Sequence, residues 1–161
     1  MRYYLDSEFN GNGGQLLSIA LVRADGAEFY EVLHAHELIV PWVKANVMPV
    51  LERQPIDRAT VVKKLQKFLR KDPGPHSFIA DWPEDIAHFC KLLVRDHGKR
   101  NDPLRFRCLL LDLPGFDTAN ASAAPHNALS DARSLRDHVE AGLAPGGEGL
   151  SPEDLALLHG S

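Results

Sequence analysis

The sequence predicts an α/β protein with one mixed sheet: three antiparallel strands first, then alternating helices and strands, with helices on both faces. Two observations carry this. The first 33 residues hold three strand-like runs separated by turn motifs. Beyond them, segments of helical period alternate with two short apolar runs, HSFIA and RFRCLLLDL. A chain of 161 residues, 44% hydrophobic and 25% charged, can bury such a core without disulfides, and it reads as a single domain over 1–161.

The first strand is read over residues 2–6. NGNGG at 10–14 is rich in residues that tolerate positive φ and makes a turn. QLLSIALV at 15–22 is a second strand. RADG, with Asp25-Gly26 as a hairpin signal, leads into a third at 27–33. A helix over 41–51 is broken by Pro49. A second runs from an Asp57 cap to Lys71, with Val61, Leu65, Phe68 and Leu69 as its apolar stripe, and DPGP ends it. HSFIA at 76–80 is a strand, 83–96 a helix with proline in its first turn, and 105–113 a strand. An Ala-, Asn- and Gly-rich loop precedes a helix at 127–143, and a short helix at 151–159 follows.

Four acids break this pattern. On a strand Tyr4, Asp6 and Glu8 point to one face. Burying two like charges there costs several kcal/mol each unless something offsets it. On the helix 83–96, Phe89 falls about 40° and Leu92 about 20° from Asp85, so Asp85 lies within the apolar stripe. On the helix 127–143, Ala128, Ala132, Leu135 and Val139 form the stripe, and Asp131 lies about 40° from Leu135. Lys91, Arg133 and Arg136 fall on other faces, so ion pairs do not account for these acids. Hard divalent cations do, because Mg²⁺ and Mn²⁺ prefer carboxylate oxygens; four acids suit two ions about 3.5–4 Å apart, the arrangement of phosphodiester chemistry. His126, five residues before Asp131 and after Pro125, adds an imidazole that can accept a proton from water near neutral pH.

LDSEF, ADWPEDIAHF and PHNALSDA, taken in order on those elements, resemble the DEDDh 3′–5′ exonucleases over residues 2 to about 140. MRYYLDSEF is most similar to the RNase AS-like branch of small bacterial exoribonucleases, which prefer adenylate tails and also carry phenylalanine where many relatives have threonine. The resemblance implies a ribonuclease H-like fold. It implies two Mg²⁺ ions, replaceable by Mn²⁺, held by Asp6, Glu8, Asp85 and Asp131, with His126 as general base. It also implies release of 5′-nucleoside monophosphates from the 3′ end of single-stranded RNA. DNA ends remain an alternative substrate, and a non-catalytic nucleic-acid-binding module on the same fold an alternative function. Dimers occur among related exonucleases, which makes a second copy of the chain a candidate partner. Ser7, Phe9 and Trp82 are candidates for substrate contact, Phe9 and Trp82 through base stacking. Family members often carry Asn where this chain has Asp81. Asp81, at a strand end, is the rival for the third carboxylate, but its place before Trp82-Pro83 reads as a helix cap or an indirect role.

Other features read as structural. The net charge of −4 is not that of a generic nucleic-acid binder, yet four acids committed to cations would leave 18 of each sign. Lys63, Lys64, Lys67, Arg70 and Lys71 form a basic helix face, read as solvated, with a phosphate track as the alternative. His34 and His36 have a chelate spacing but no evident third ligand, and read as the wet face of a strand. Cys90 and Cys108 lack metal spacing and read as buried free thiols in a reducing compartment. With no apolar span for a membrane and no leader before the first strand, a cytoplasmic location without a membrane partner is expected.

Overall fold

The computed structural model describes residues 1–94 and 105–159. Five strands form one sheet in the order β3-β2-β1-β4-β5: β1 (Arg2–Phe9), β2 (Leu16–Arg23), β3 (Glu28–Val32), β4 (His76–Ala80) and β5 (Phe106–Leu110). β2 runs antiparallel to both β1 and β3, while β1, β4 and β5 are parallel. The expected α/β class and antiparallel opening are both present.

Alternation along β1 divides the core. Tyr3 and Leu5 pack with α2 (Arg58–Leu69) and α3 (Pro83–Leu92) on one face. Tyr4 packs with Leu135 and Val139 of α5 (Ala128–Leu143) on the other. The two tyrosines are also pinned by their hydroxyls. Tyr3 donates to Asp72 Oδ2 at 3.0 Å, just beyond α2. Tyr4 donates to Glu140 Oε1 at 2.6 Å on α5, and Arg2 clamps the same carboxylate at 2.9 and 2.8 Å.

Several boundaries differ from expectation. β1 continues to Phe9, with a bulge between Glu8 and Phe9, so both acids lie inside the strand. The helix at 41–51 is two pieces, α1 (Pro41–Asn46) and a 3-10 turn at Met48–Val50. The break falls at Val47, because Pro49 lacks only an N–H that an early helical position does not use. The end of the expected 83–96 helix lies outside the described residues. The loop after β5 contains a further short helix, α4 (Thr118–Ala121), and α6 (Pro152–His159) closes the described chain. Asp57 caps α2 as expected, accepting from Thr60 N. Cys90 and Cys108 are free thiols but half-buried; burial and the neighbouring Cys90 push the Cys108 thiol up to about 12. His34 and His36 are exposed but lie beyond β3, in a loop, because the strand ends at Val32. Among the described residues no helix is long and apolar enough to cross a membrane.

The topology opens a cleft. β1 and β4 pair from Arg2–Ser77 only as far as Tyr4–Ile79, and beyond that point their carboxyl ends have no shared ladder. Side chains at Asp6, Glu8 and Asp81 therefore project into the crevice where ligands of open α/β sheets bind.

The Tyr4–Glu140–Arg2 cluster ties β1 to α5, so breaking it tests how firmly the cleft is held. Tyr4→Phe should cost about 1 kcal/mol and Glu140→Ala about 2–3 kcal/mol, since the second leaves both a hydroxyl and a guanidinium unpaired. Urea unfolding measures both; equal losses would mean that the carboxylate is not the hub.

Candidate metal centre

Four elements deliver five carboxylates to the cleft. Asp6 and Glu8 come from β1, and Asp81 follows β4 directly. Asp85 stands in the first turn of α3 and Asp131 in the first turn of α5. The positive ends of two helix dipoles thus point at the acids. Asp85 and Asp131 are both buried, at 2% and 5% exposure. The inward phase read for each from the helical period is what the fold has.

The acids form two triads that share one member. Ligand oxygens of Asp6, Asp81 and Asp85 lie within 4.8 Å of one another, and so do those of Asp6, Glu8 and Asp131. Protein donors satisfy only part of this group. Ser7 gives Asp85 Oδ1 both its backbone N–H, at 3.0 Å, and its hydroxyl, at 2.6 Å. The His126 N–H donates to Asp131 Oδ2 at 3.0 Å, and the Thr118 hydroxyl to Asp81 Oδ2 at 2.7 Å. Asp6 Oδ2 and Asp131 Oδ1 are buried without any partner. Two orphaned carboxylate oxygens, one in each triad or shared between them, are the donor set a hard divalent cation takes.

Electrostatics say the same. Burial, then the neighbouring carboxylates, push Glu8 up to about 8 and hold Asp6 well above the usual carboxylate range. Burial raises Asp85 to about 7 against the opposing Ser7 hydrogen bonds, and Asp131 to about 6 against the His126 N–H.

His126 immediately precedes Asn127, the α5 cap, whose side chain accepts from Leu129 N and Ser130 N. Its φ of 65° puts a non-glycine residue in the left-handed region, a strained conformation. The strain serves to turn the His126 N–H back onto Asp131 while the ring faces the cleft, edge-on to Trp42 at 5.0 Å.

The cleft, about 630 Å³, is lined by these five carboxylates, by a sixth, Asp117, just before α4, and by His126, with Phe9, Trp42, Trp82 and Phe116 as its aromatic walls. Trp82 is 54% and Trp42 57% exposed. Phe9 is backed by the His88 ring at 5.1 Å. Ser7 borders the cleft, but its hydroxyl is held by Asp85. None of Lys63, Lys64, Lys67, Arg70 and Lys71 lines it. One expectation needs correction: Asp81 does not cap α3. Trp82 occupies the cap position without a side-chain bond, and Asp81 is turned into the first triad by Thr118. Trp42, Phe116 and Thr118 were not expected here. They sit on irregular or short segments where no periodicity marks a facing side; Trp42, exposed beside Pro41, carried the one usable signal.

No protein-family model matches this chain, and no curated protein matches it. The site is therefore argued from its own geometry.

The raised carboxylates make stability depend on pH. Between ordinary values near 4 and the values here of about 6, 7 and 8, the folded chain binds more protons than the unfolded chain. Their contribution is fully present below pH 4 and is lost as pH rises through about 8. In EDTA the melting temperature should therefore fall from pH 5 to pH 8, and Mn²⁺ should remove much of that fall. Asp6→Ala should flatten the EDTA profile, and calorimetry should show weakened Mn²⁺ binding. Equal Mn²⁺ binding by mutant and wild type would exclude Asp6 as a ligand.

Proposed function

We propose that this chain is a divalent-metal-dependent 3′–5′ exonuclease of the DEDDh type, acting on single-stranded RNA, with adenylate ends preferred. The observation that carries the reading is the pair of oxygen triads joined at Asp6, with His126 beside Asp131. The order of the sheet, with one antiparallel strand between β1 and β3, supports a ribonuclease H-like assignment. The 3′–5′ direction and the choice of RNA rest on the sequence resemblance.

Asp6, Glu8 and Asp131 would hold one Mg²⁺ and Asp6, Asp81 and Asp85 the second. Such ions supply positive charge against the developing negative charge of a phosphoryl group and lower the pKa of water. His126 accepts the proton of the attacking water at its imidazole, and Trp42 orients that ring. Phe9 and Trp82 offer planar surfaces to the terminal bases, with His88 behind Phe9 to keep its ring in place. Ser7 fixes Asp85 and the His126 N–H fixes Asp131, so the acids are held before a substrate arrives.

Incubating 5′-labelled RNA and DNA oligomers and the four RNA homopolymers with Mg²⁺ tests the reading. The expected result is a ladder shortening from the 3′ end of RNA, with 5′-monophosphates released and the adenylate polymer degraded fastest. Internal cleavage, or shortening from the 5′ end, would refute it. Binding without hydrolysis would support the non-catalytic module, and faster loss of DNA would change the substrate.

Two substitutions separate the acids. In Asp85→Asn the Ser7 N–H pins the amide oxygen, so the amide NH2 replaces the other carboxylate oxygen. In Asp81→Asn the Thr118 hydroxyl can donate or accept, so the carbonyl oxygen can stay in the triad. Asp85→Asn should lower turnover by several orders of magnitude and Asp81→Asn by much less; the reverse ranking would make Asp81 the essential ligand. His126→Ala should lower turnover by about 10²–10⁴-fold while calorimetric Mn²⁺ affinity stays near that of wild type. Full activity in His126→Ala would remove it as the base.

A further inference from the structure

A second cavity, about 230 Å³, lies on the α2/α3 side of the sheet, behind the Phe9–His88 wall. Leu16, Leu33 and Leu92 supply apolar surface to its lining, and Arg58, Lys91, His34, His36, His88 and Gln15 bring polar groups. No acid lines it among the described residues. Glu84, the nearest acid to act on His88, is turned away: it accepts from Gly13 N at 2.7 Å and faces Trp82 Nε1.

Two lining groups lack partners that the fold would be expected to provide. His88 is buried, at 4% exposure, with its ring against that of Phe9 at 5.1 Å. Gln15 Nε2 is buried with no hydrogen-bond partner. The amide orientation is fixed, because Gln15 Oε1 accepts the His36 N–H at 2.9 Å. Arg58 is fixed too: its guanidinium donates to Lys91 O at 2.7 Å and Val94 O at 2.8 Å across the end of α3.

Three histidines suggest a metal, but the arrangement opposes one. The His34 and His36 rings stand 6.4 Å apart, and their ligand atoms form no triad with His88 within 4.8 Å. Arg58 and Lys91 would repel a cation. An anion reverses every term: two permanent positive charges, with no carboxylate among the described lining residues, match a dianion, and the orphaned Gln15 N–H and an imidazole N–H donate to its oxygens. The leucines suit the organic part of such a ligand. We propose that this cavity binds a phosphate monoester, its dianionic head on Arg58, Lys91 and Gln15 and its ester side on the leucines. The site does not depend on hydrolysis at the carboxylate cleft.

The monoester can come from a free mononucleotide or from the 5′-phosphate of a strand. The test uses the full chain in EDTA, at ionic strength held with chloride, so that neither cations nor turnover contribute. Inorganic phosphate, adenosine 5′-monophosphate, and one oligoribonucleotide with a 5′-phosphate or a 5′-hydroxyl are titrated while NMR follows the Gln15 side-chain amide and the His34, His36 and His88 imidazoles. Saturable shifts at Gln15 and His88 are expected with the phosphate ligands. Lys91→Ala should weaken binding about tenfold, the loss of one charged hydrogen bond. Gln15→Leu, which removes the orphaned N–H together with the acceptor of the His36 N–H, should weaken it as well. Tightest binding of the mononucleotide identifies a free ligand; preference for the 5′-phosphorylated over the 5′-hydroxyl strand identifies a strand end. Binding of the 5′-hydroxyl strand as tight as that of every phosphate ligand, shifts no larger than chloride produces, or unchanged affinity in both variants would overturn the proposal.

Discussion

Mutual repulsion among buried carboxylates is the constraint around which this chain is arranged. Asp6 sits on the middle strand of the sheet, where a side chain is normally apolar, and it joins both acidic triads. Everything adjacent works to keep the acids together despite their charge. Ser7, one residue on, points to the opposite face and spends both its donors on Asp85. The early ends of α3 and α5 face the cluster, and His126 holds a strained backbone to give Asp131 its N–H. These contributions stabilise single oxygens. They leave Asp6 Oδ2 and Asp131 Oδ1 orphaned, so within the chain itself the repulsion is only partly offset.

The scaffold that bears this strain is redundant elsewhere. Tyr3 and Tyr4 are neighbours in sequence and lock β1 to opposite layers, one through Asp72 and the other through Glu140 and Arg2. Both clusters lie near the amino end of β1, while the acids occupy its carboxyl end. Stability is thus concentrated where β1 and β4 are paired, and unsatisfied charge is placed where they have parted. That division lets the functional end carry a local cost without loosening the sheet.

How much of this the sequence disclosed depends on periodicity. Asp6 and Glu8 were legible from strand alternation, and Asp85 and Asp131 from helical phase, because each was an acid where its element called for an apolar side chain. Asp57 and the turns at 10–14 and 23–26 were legible from local chemistry. The extent of β1 was not, since the acids that matter also lower strand propensity. Asp81 was misread because its local context, before Trp82-Pro83, imitates a helix start; the partner that turns it inward is Thr118, 37 residues away. Trp42 and Phe116 reach the cleft from short or irregular segments, whose facing sides only the tertiary fold decides.

Phe9 shows how closely the two halves of the molecule are coupled. The bulge after Glu8 ends the regular ladder, and Phe9 both packs on the His88 ring and lines the acidic cleft. Its partner belongs to the cationic cavity on the other side. A single aromatic pair, Phe9 and His88, therefore lies between the acidic cleft and the cavity that Arg58 and Lys91 line.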